Sequence, residues 1–183
     1  FTVANLNIEF FAGAATQRAK VSKGIREIMR YPDIIGHEEI ANLAALQGLA
    51  TQVNNDAVAA GDPNPLYVAH LVPATAAGTQ NVGFLVKTSR VTVNTVTQNE
   101  LPGCVNTVAT CYTYINPTTS LPDVLNDRPP LLLDAVVDPT GTPTPVLVVV
   151  NHTRSFIDID ADPGAGVRVR AKRKAQAEFL ASY

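Results

Sequence analysis

From Tyr67 onward the apolar residues recur at every second position, and this period continues through most of the remaining chain. Such alternation puts successive side chains on opposite faces of an extended backbone, so it predicts strands. They are expected at Tyr67 to Leu71, Val82 to Lys87, Val91 to Thr97, Cys111 to Ile115, Leu131 to Val137 and Val146 to Asn151, separated by Gly, Pro and Asn. The run Pro-Val-Leu-Val-Val-Val ending at Val150 is almost wholly apolar, the pattern of an interior strand covered on both sides. Before Tyr67 the order differs. A strand is expected at Thr2 to Ile8 and an amphipathic helix within Arg18–Tyr31, its face made by Val21, Ile25, Ile28 and Met29 and its end set by Pro32. A short buried strand, Asp33 to Gly36, and a second helix from about Ile40 to Asn54 follow, then the breaker-rich loop Gly61-Asp62-Pro63-Asn64-Pro65. A last helix is expected from Arg170 to Ser182. Many strands with helices outside them make a layered α/β or α+β protein, here read as α+β. Neither a repeat nor an interdomain linker interrupts residues 1–183.

An apolar fraction of 46% excludes a disordered chain, and a charged fraction of 16% is low. Thr, Asn, Ser and Pro replace charge on the surface, a bias toward an extracellular setting. The formal net charge of -2 offers no bulk attraction to nucleic acid. Positive charge is local, in Arg168, Arg170, Lys172, Arg173 and Lys174, which read either as a solvated helix face or as a surface for a phosphate backbone. Cys104 and Cys111 are too few for a zinc site and lack CxxC spacing. A local disulfide across a hairpin is expected, with two free thiols as the alternative. A disulfide implies an oxidising compartment, so the chain is expected to be secreted or periplasmic, any leader having been removed before residue 1. No apolar run approaches the roughly 20 residues of a membrane-crossing helix.

A few polar residues interrupt this apolar framework. Glu39, just beyond a short strand in Pro-Asp-Ile-Ile-Gly-His-Glu-Glu-Ile, suits a hard divalent cation at a cleft, or is a first-turn helix charge. Glu38 is expected to face outward and His37 to be a packing histidine. Asn7 lies within an apolar strand, where a carboxamide needs hydrogen-bond partners or a ligand. His152 ends an apolar strand, where it can hydrogen-bond a phosphoryl oxygen or sit satisfied at a rim, and Arg154 and Ser155 beside it are phosphate-contact candidates. Asn151-His152-Thr153 is formally a glycosylation acceptor, disfavoured at a strand end. Asp158, Asp160 and Asp162 have no glutamate at the twelfth position of a calcium loop.

Together these stretches resemble the endonuclease/exonuclease/phosphatase superfamily of DNase I-like, divalent-metal phosphodiesterases, and above all its bacterial secreted endonuclease branch. Val-Ala-Asn-Leu-Asn-Ile-Glu-Phe-Phe resembles the first strand with the metal-site asparagine, here Asn7. The segment ending in Glu38-Glu39 resembles the metal-binding motif, with Glu38 in place of the usual Gln. In Asn-Val-Gly-Phe-Leu-Val-Lys, Asn81 takes a place often held by Asp, which alters a hydrogen bond near the cleft. Leu-Asn-Asp-Arg-Pro-Pro resembles the segment whose arginine, here Arg128, supports the active-site side of the sheet. Val-Leu-Val-Val-Val-Asn-His-Thr-Arg-Ser resembles the strand with the catalytic histidine, here His152, with Thr153 replacing the usual Leu.

The resemblance implies a four-layered α/β/β/α sandwich with its C-terminal part absent, because family members continue into Asp-x-Asn and Asp-His elements that do not follow His152 here. It implies Mg²⁺ or Mn²⁺ at Glu39 and Asn7, catalysis by His152, Asn7 and Glu39, supporting or substrate contacts from Arg128, Arg154, Ser155 and Asn81, and a nucleic acid backbone as substrate. The expected activity is that of a secreted endonuclease on DNA or RNA when the domain is complete, and none for these 183 residues alone. The alternatives are an inactive nuclease-like scaffold with a structural, self-assembly or binding role, and a phosphatase of lipid or small-molecule phosphoesters. Open sheet edges are expected, to be covered by the remainder of the domain or by self-association.

Overall fold

Two hydrophobic clusters divide the molecule into layers. In the computed structural model, which describes residues 1–74, 80–138 and 141–182, the chain order is β1 (Val3–Phe11), α1 (Ala15–Glu27), β2 (Ile34–Ile40), α2 (Leu43–Ala59), β3 (Tyr67–His70), β4 (Asn81–Lys87), β5 (Val91–Gln98), β6 (Thr113–Asn116), β7 (Leu121–Val124), β8 (Leu131–Val137), β9 (Thr144–Val150) and α3 (Ala165–Ala181). A mixed α/β fold results, with sheets in the orders β1-β2-β4-β3, β5-β8-β9 and β6-β7. Strands β1 and β2 are parallel, joined through α1, and the other paired strands are antiparallel.

The first cluster packs Ile25 of α1 and Leu46, Leu49 and Val53 of α2 onto Ile35, Ile40 and Leu85 of the first sheet. The second joins that sheet's other face, through Ile34, Phe84 and Val86, to Leu131, Leu133 and Val150 of the second sheet. Helix, sheet and sheet are therefore stacked in three layers. Among the described residues no fourth layer covers β9, whose Leu147 and Val149 are 58% and 39% exposed. Strand β9 is an edge strand, so the expectation of an interior strand covered on both sides is corrected. Its apolar run fills the inter-sheet core on one face only.

Several element boundaries also differ from expectation. Helix α1 ends at Glu27, not near Pro32, and Ile28 is left 83% exposed instead of joining the apolar stripe. Helix α2 starts after Ile40: Asn42 caps it, with Oδ1 accepting from the Ala45 N–H at 2.9 Å, and it runs on to Ala59. Strand β7 carries Pro122 and escaped the period-two pattern. Cys104 and Cys111 form the expected disulfide, but it closes a loop ahead of β6, not a hairpin.

Candidate functional site

At one end of the sheets lies a cleft of ≈850 Å³ with Asn7, Glu38, Glu39, Arg128, His152 and Arg154 in its walls. It forms where β1, β2 and the segment after β9 come together. Asn5 and Asn7 fall on the same face of β1, two positions apart, while Ala4, Leu6 and Ile8 turn to the helices. Both asparagines are exposed, so Asn7 is not the buried, backbone-satisfied carboxamide that its apolar neighbours allowed.

Glu39 is inside β2, not in the first turn of a helix. Simple alternation would send neighbouring Glu38 and Glu39 to opposite faces. The pairing of β2 with β4 shifts register between His37 and Ile40, and Glu39 takes φ 62°, a left-handed value uncommon for a side chain other than glycine. This bulge turns Glu39 toward the side where Glu38 already faces. Glu38 therefore lines the cleft too, which corrects its outward assignment, and it accepts from Asn5 Nδ2 at 2.7 Å.

Glu39 is the centre of the polar array. Its Oε1 accepts from Asn7 Nδ2 at 3.2 Å, and Oε2 accepts from the Phe10 N–H at 3.3 Å and Gln80 Nε2 at 3.4 Å. His152 Nε2 lies 3.5 Å from Oε1, longer than a well-formed hydrogen bond, and the two side chains are only 13% and 14% exposed. Burial lowers the His152 pKa below its ordinary value, helped by the Arg128 cation and opposed by Glu38 and Glu39. The imidazole is consequently neutral at neutral pH, and its contact with Glu39 is polar rather than ionic. Arg128 donates to Gln80 Oε1, which extends the array from Arg128 through Gln80 to Glu39. Ser155 and Thr153 also line the cleft, the Ser155 Oγ accepting from the Ile157 N–H.

Asn81 stands behind the cleft wall and not in it. It is 4% exposed and acts as a clamp behind the cleft. Its Nδ2 donates to the Ile40 and Ala41 carbonyls at 3.2 and 3.0 Å, and its Oδ1 accepts from the Ala74 N–H at 2.9 Å. The amide thereby joins the end of β2 to the segment before β4. His37 is fully buried, with neither ring nitrogen hydrogen-bonded, and burial depresses its pKa to about 3.

Gln80 and Arg173 line the cleft although sequence patterns did not single them out for it. Gln80 sits in no motif. Arg173 was hidden in the basic run, which the structure splits. Lys172 is 5% exposed and paired with Asp127 at 2.8 Å, whereas Lys174 is on the surface with Glu178. Arg173 bonds Thr153 Oγ1 at 3.0 Å and the Arg154 carbonyl, fixing α3 to the cleft wall.

No protein-family model matches the chain, and no curated protein matches it. Among solved structures, humanized D. rerio TDP2 is similar at TM-score 0.46 and 10% identity, over 97% of this chain and 57% of that one. A Bacteroides thetaiotaomicron mannosyl-6-phosphatase gives TM-score 0.48 and 14% identity, over 100% of this chain and 60% of that one. An endonuclease/exonuclease/phosphatase from Bacteroides vulgatus gives TM-score 0.42 and 10% identity, over 81% and 50%. The chain spans between half and three fifths of the length of these structures. Likenesses of this strength assign neither an activity nor a substrate.

Proposed function

We propose that the cleft is a phosphoester-binding site on a nuclease-like scaffold, and that residues 1–183 by themselves do not turn the ligand over. The scaffold is read as the α/β/β part of a DNase I-like four-layered sandwich. The observation that carries the proposal is the composition of the cleft: Arg128, Arg154 and His152 converge on it, but the described residues contain no group of three or more His, Cys, Asp or Glu able to hold a metal ion. Cationic and imidazole groups suit a phosphoryl oxygen. Hydrolysis needs more, namely an activated water and neutralisation of the charge that develops on phosphorus oxygens. The nearest base candidate, Glu39, already accepts from Asn7, Phe10 and Gln80.

The meeting of Asn7, Glu39 and His152 supports a second reading, a Mg²⁺- or Mn²⁺-dependent phosphodiesterase acting on DNA, RNA or a smaller phosphoester. Mg²⁺ is commonly held by one or two carboxylates with several waters retained, so Glu39 fits as a ligand. Half a turn of the Asn7 amide would add its Oδ1. Such an ion would supply Lewis-acid polarisation of the phosphoryl group, while His152 would donate a hydrogen bond to another oxygen and Arg128 would hold Gln80 against Glu39. The disulfide favours an oxidising location for either reading, secreted or periplasmic.

Calorimetry with a dinucleotide phosphodiester, joined to a plasmid-nicking assay in Mn²⁺, tests the choice. Binding that Arg154→Ala weakens, without nicking, is the expected result. Nicking by the pure chain that Glu39→Gln abolishes would establish the second reading instead.

A further inference from the structure

The cleft carries apolar groups that a phosphate alone does not explain. Phe10, Phe156 and Ile157 line it and are 59%, 64% and 69% exposed. Single exposed apolar residues are ordinary, but here three share the concave surface that holds Arg128 and Arg154. Phe10 belongs to β1, at φ 48° within the register shift between Asn7 and Phe11. Phe156 belongs to the segment after β9 and has the Arg173 guanidinium 3.7 Å from its ring centroid. The cation lies over one face of a ring whose residue is still 64% exposed, so ring surface remains for a flat ligand. Arg154, two positions earlier in the sequence, uses its backbone N–H on Gln176 while its guanidinium has no hydrogen bond or ion pair among the described residues.

We propose that the cleft takes single-stranded nucleic acid, with Phe10 and Phe156 stacking unpaired bases while Arg154 and Arg128 contact the intervening phosphates. The inference rests on the phosphoester-binding reading and adds the substrate class. Aromatic faces stack every base, but only where the base is not already stacked in a duplex. The overall charge of -2 does not draw in a polyanion, so affinity arises from these local contacts. Two arginine–phosphate contacts predict a slope of log affinity on log salt of about -1.4 for a single strand.

Fluorescence anisotropy in EDTA, with a labelled oligothymidylate of about eight nucleotides, an abasic strand of the same length and the corresponding duplex, tests the proposal. With two bases stacked, the single strand is expected to bind at least about 30-fold more tightly than the abasic strand. Phe10→Ala and Phe156→Ala are each expected to erode that margin without changing abasic binding, and Phe156→Trp to retain it. Both rings are exposed, so unchanged melting temperatures will separate lost stacking from misfolding. Equal binding of the abasic and base-containing strands, or preference for the duplex, overturns the stacking proposal and leaves the phosphoester reading standing. Binding of none of the three probes overturns both.

Discussion

His152 has its protonation decided by neighbours of opposite sign. Burial and the Arg128 charge lower its pKa, and Glu38 and Glu39 act against them. Arg128→Gln is therefore expected to raise the His152 pKa toward the ordinary value, and Glu39→Gln to lower it further, as read from the imidazole proton shifts in an NMR pH titration. His37 has no such company. Its folded-state pKa of about 3 lies below the unfolded value of about 6.5, so the folded chain binds fewer protons between them. The stability held by the neutral ring is complete above the unfolded pKa and drains away as pH falls toward the folded one. His37→Leu removes both this linkage and two unpaired ring nitrogens. It is expected to gain about 2 kcal/mol more at pH 5 than at pH 7.5, by denaturant melts of both proteins at each pH. Residue identity made Asn7, Glu39 and His152 legible as polar groups in apolar settings. Their mutual geometry was not, because it depends on a backbone angle at Glu39 that no spacing rule encodes.

Elements whose burial alternates simply were the easiest to see. Strand β8 occupies Leu131–Val137 as expected, since its inward residues Leu131, Leu133, Ala135 and Val137 are all core. Strand β2 was cut short because His-Glu-Glu looks like the start of a helix, whereas pairing with β1 and β4 continues the strand across it. Tertiary pairing overrode local preference there. Asn81 holds the irregular strand end in place, its buried side chain bonding two carbonyls and an amide. Asn81→Ala is expected to cost about 2–4 kcal/mol in chemical unfolding and to weaken phosphoester binding through loss of the Glu39 position. The oligonucleotide assay on protein shown to be folded will separate these two effects.

Viewed as a whole molecule, the first sheet ends at β1 and the second at β9. Between them runs a hollow of ≈390 Å³ lined by Val3, Asn5, Gly36, Phe84, Val148 and Val150. Sequence periodicity showed that both strands exist but not that each is an edge, because order within a sheet is set by long-range pairing. Strand β9 carries no charge and presents Leu147 to solvent, the features that natural edge strands avoid. Concentration-dependent association is accordingly expected in sedimentation velocity, and Leu147→Lys is expected to suppress it without lowering the melting temperature. Strand β1 has a different consequence. It is paired on one side only, yet it brings Asn7 and Phe10 to the cleft. A ligand that spans from these residues to Arg154 must therefore act as a latch on the strand. The backbone amides of Val3–Phe11 should then exchange with deuterium more slowly when the cleft is filled, while those of β8 keep their rate.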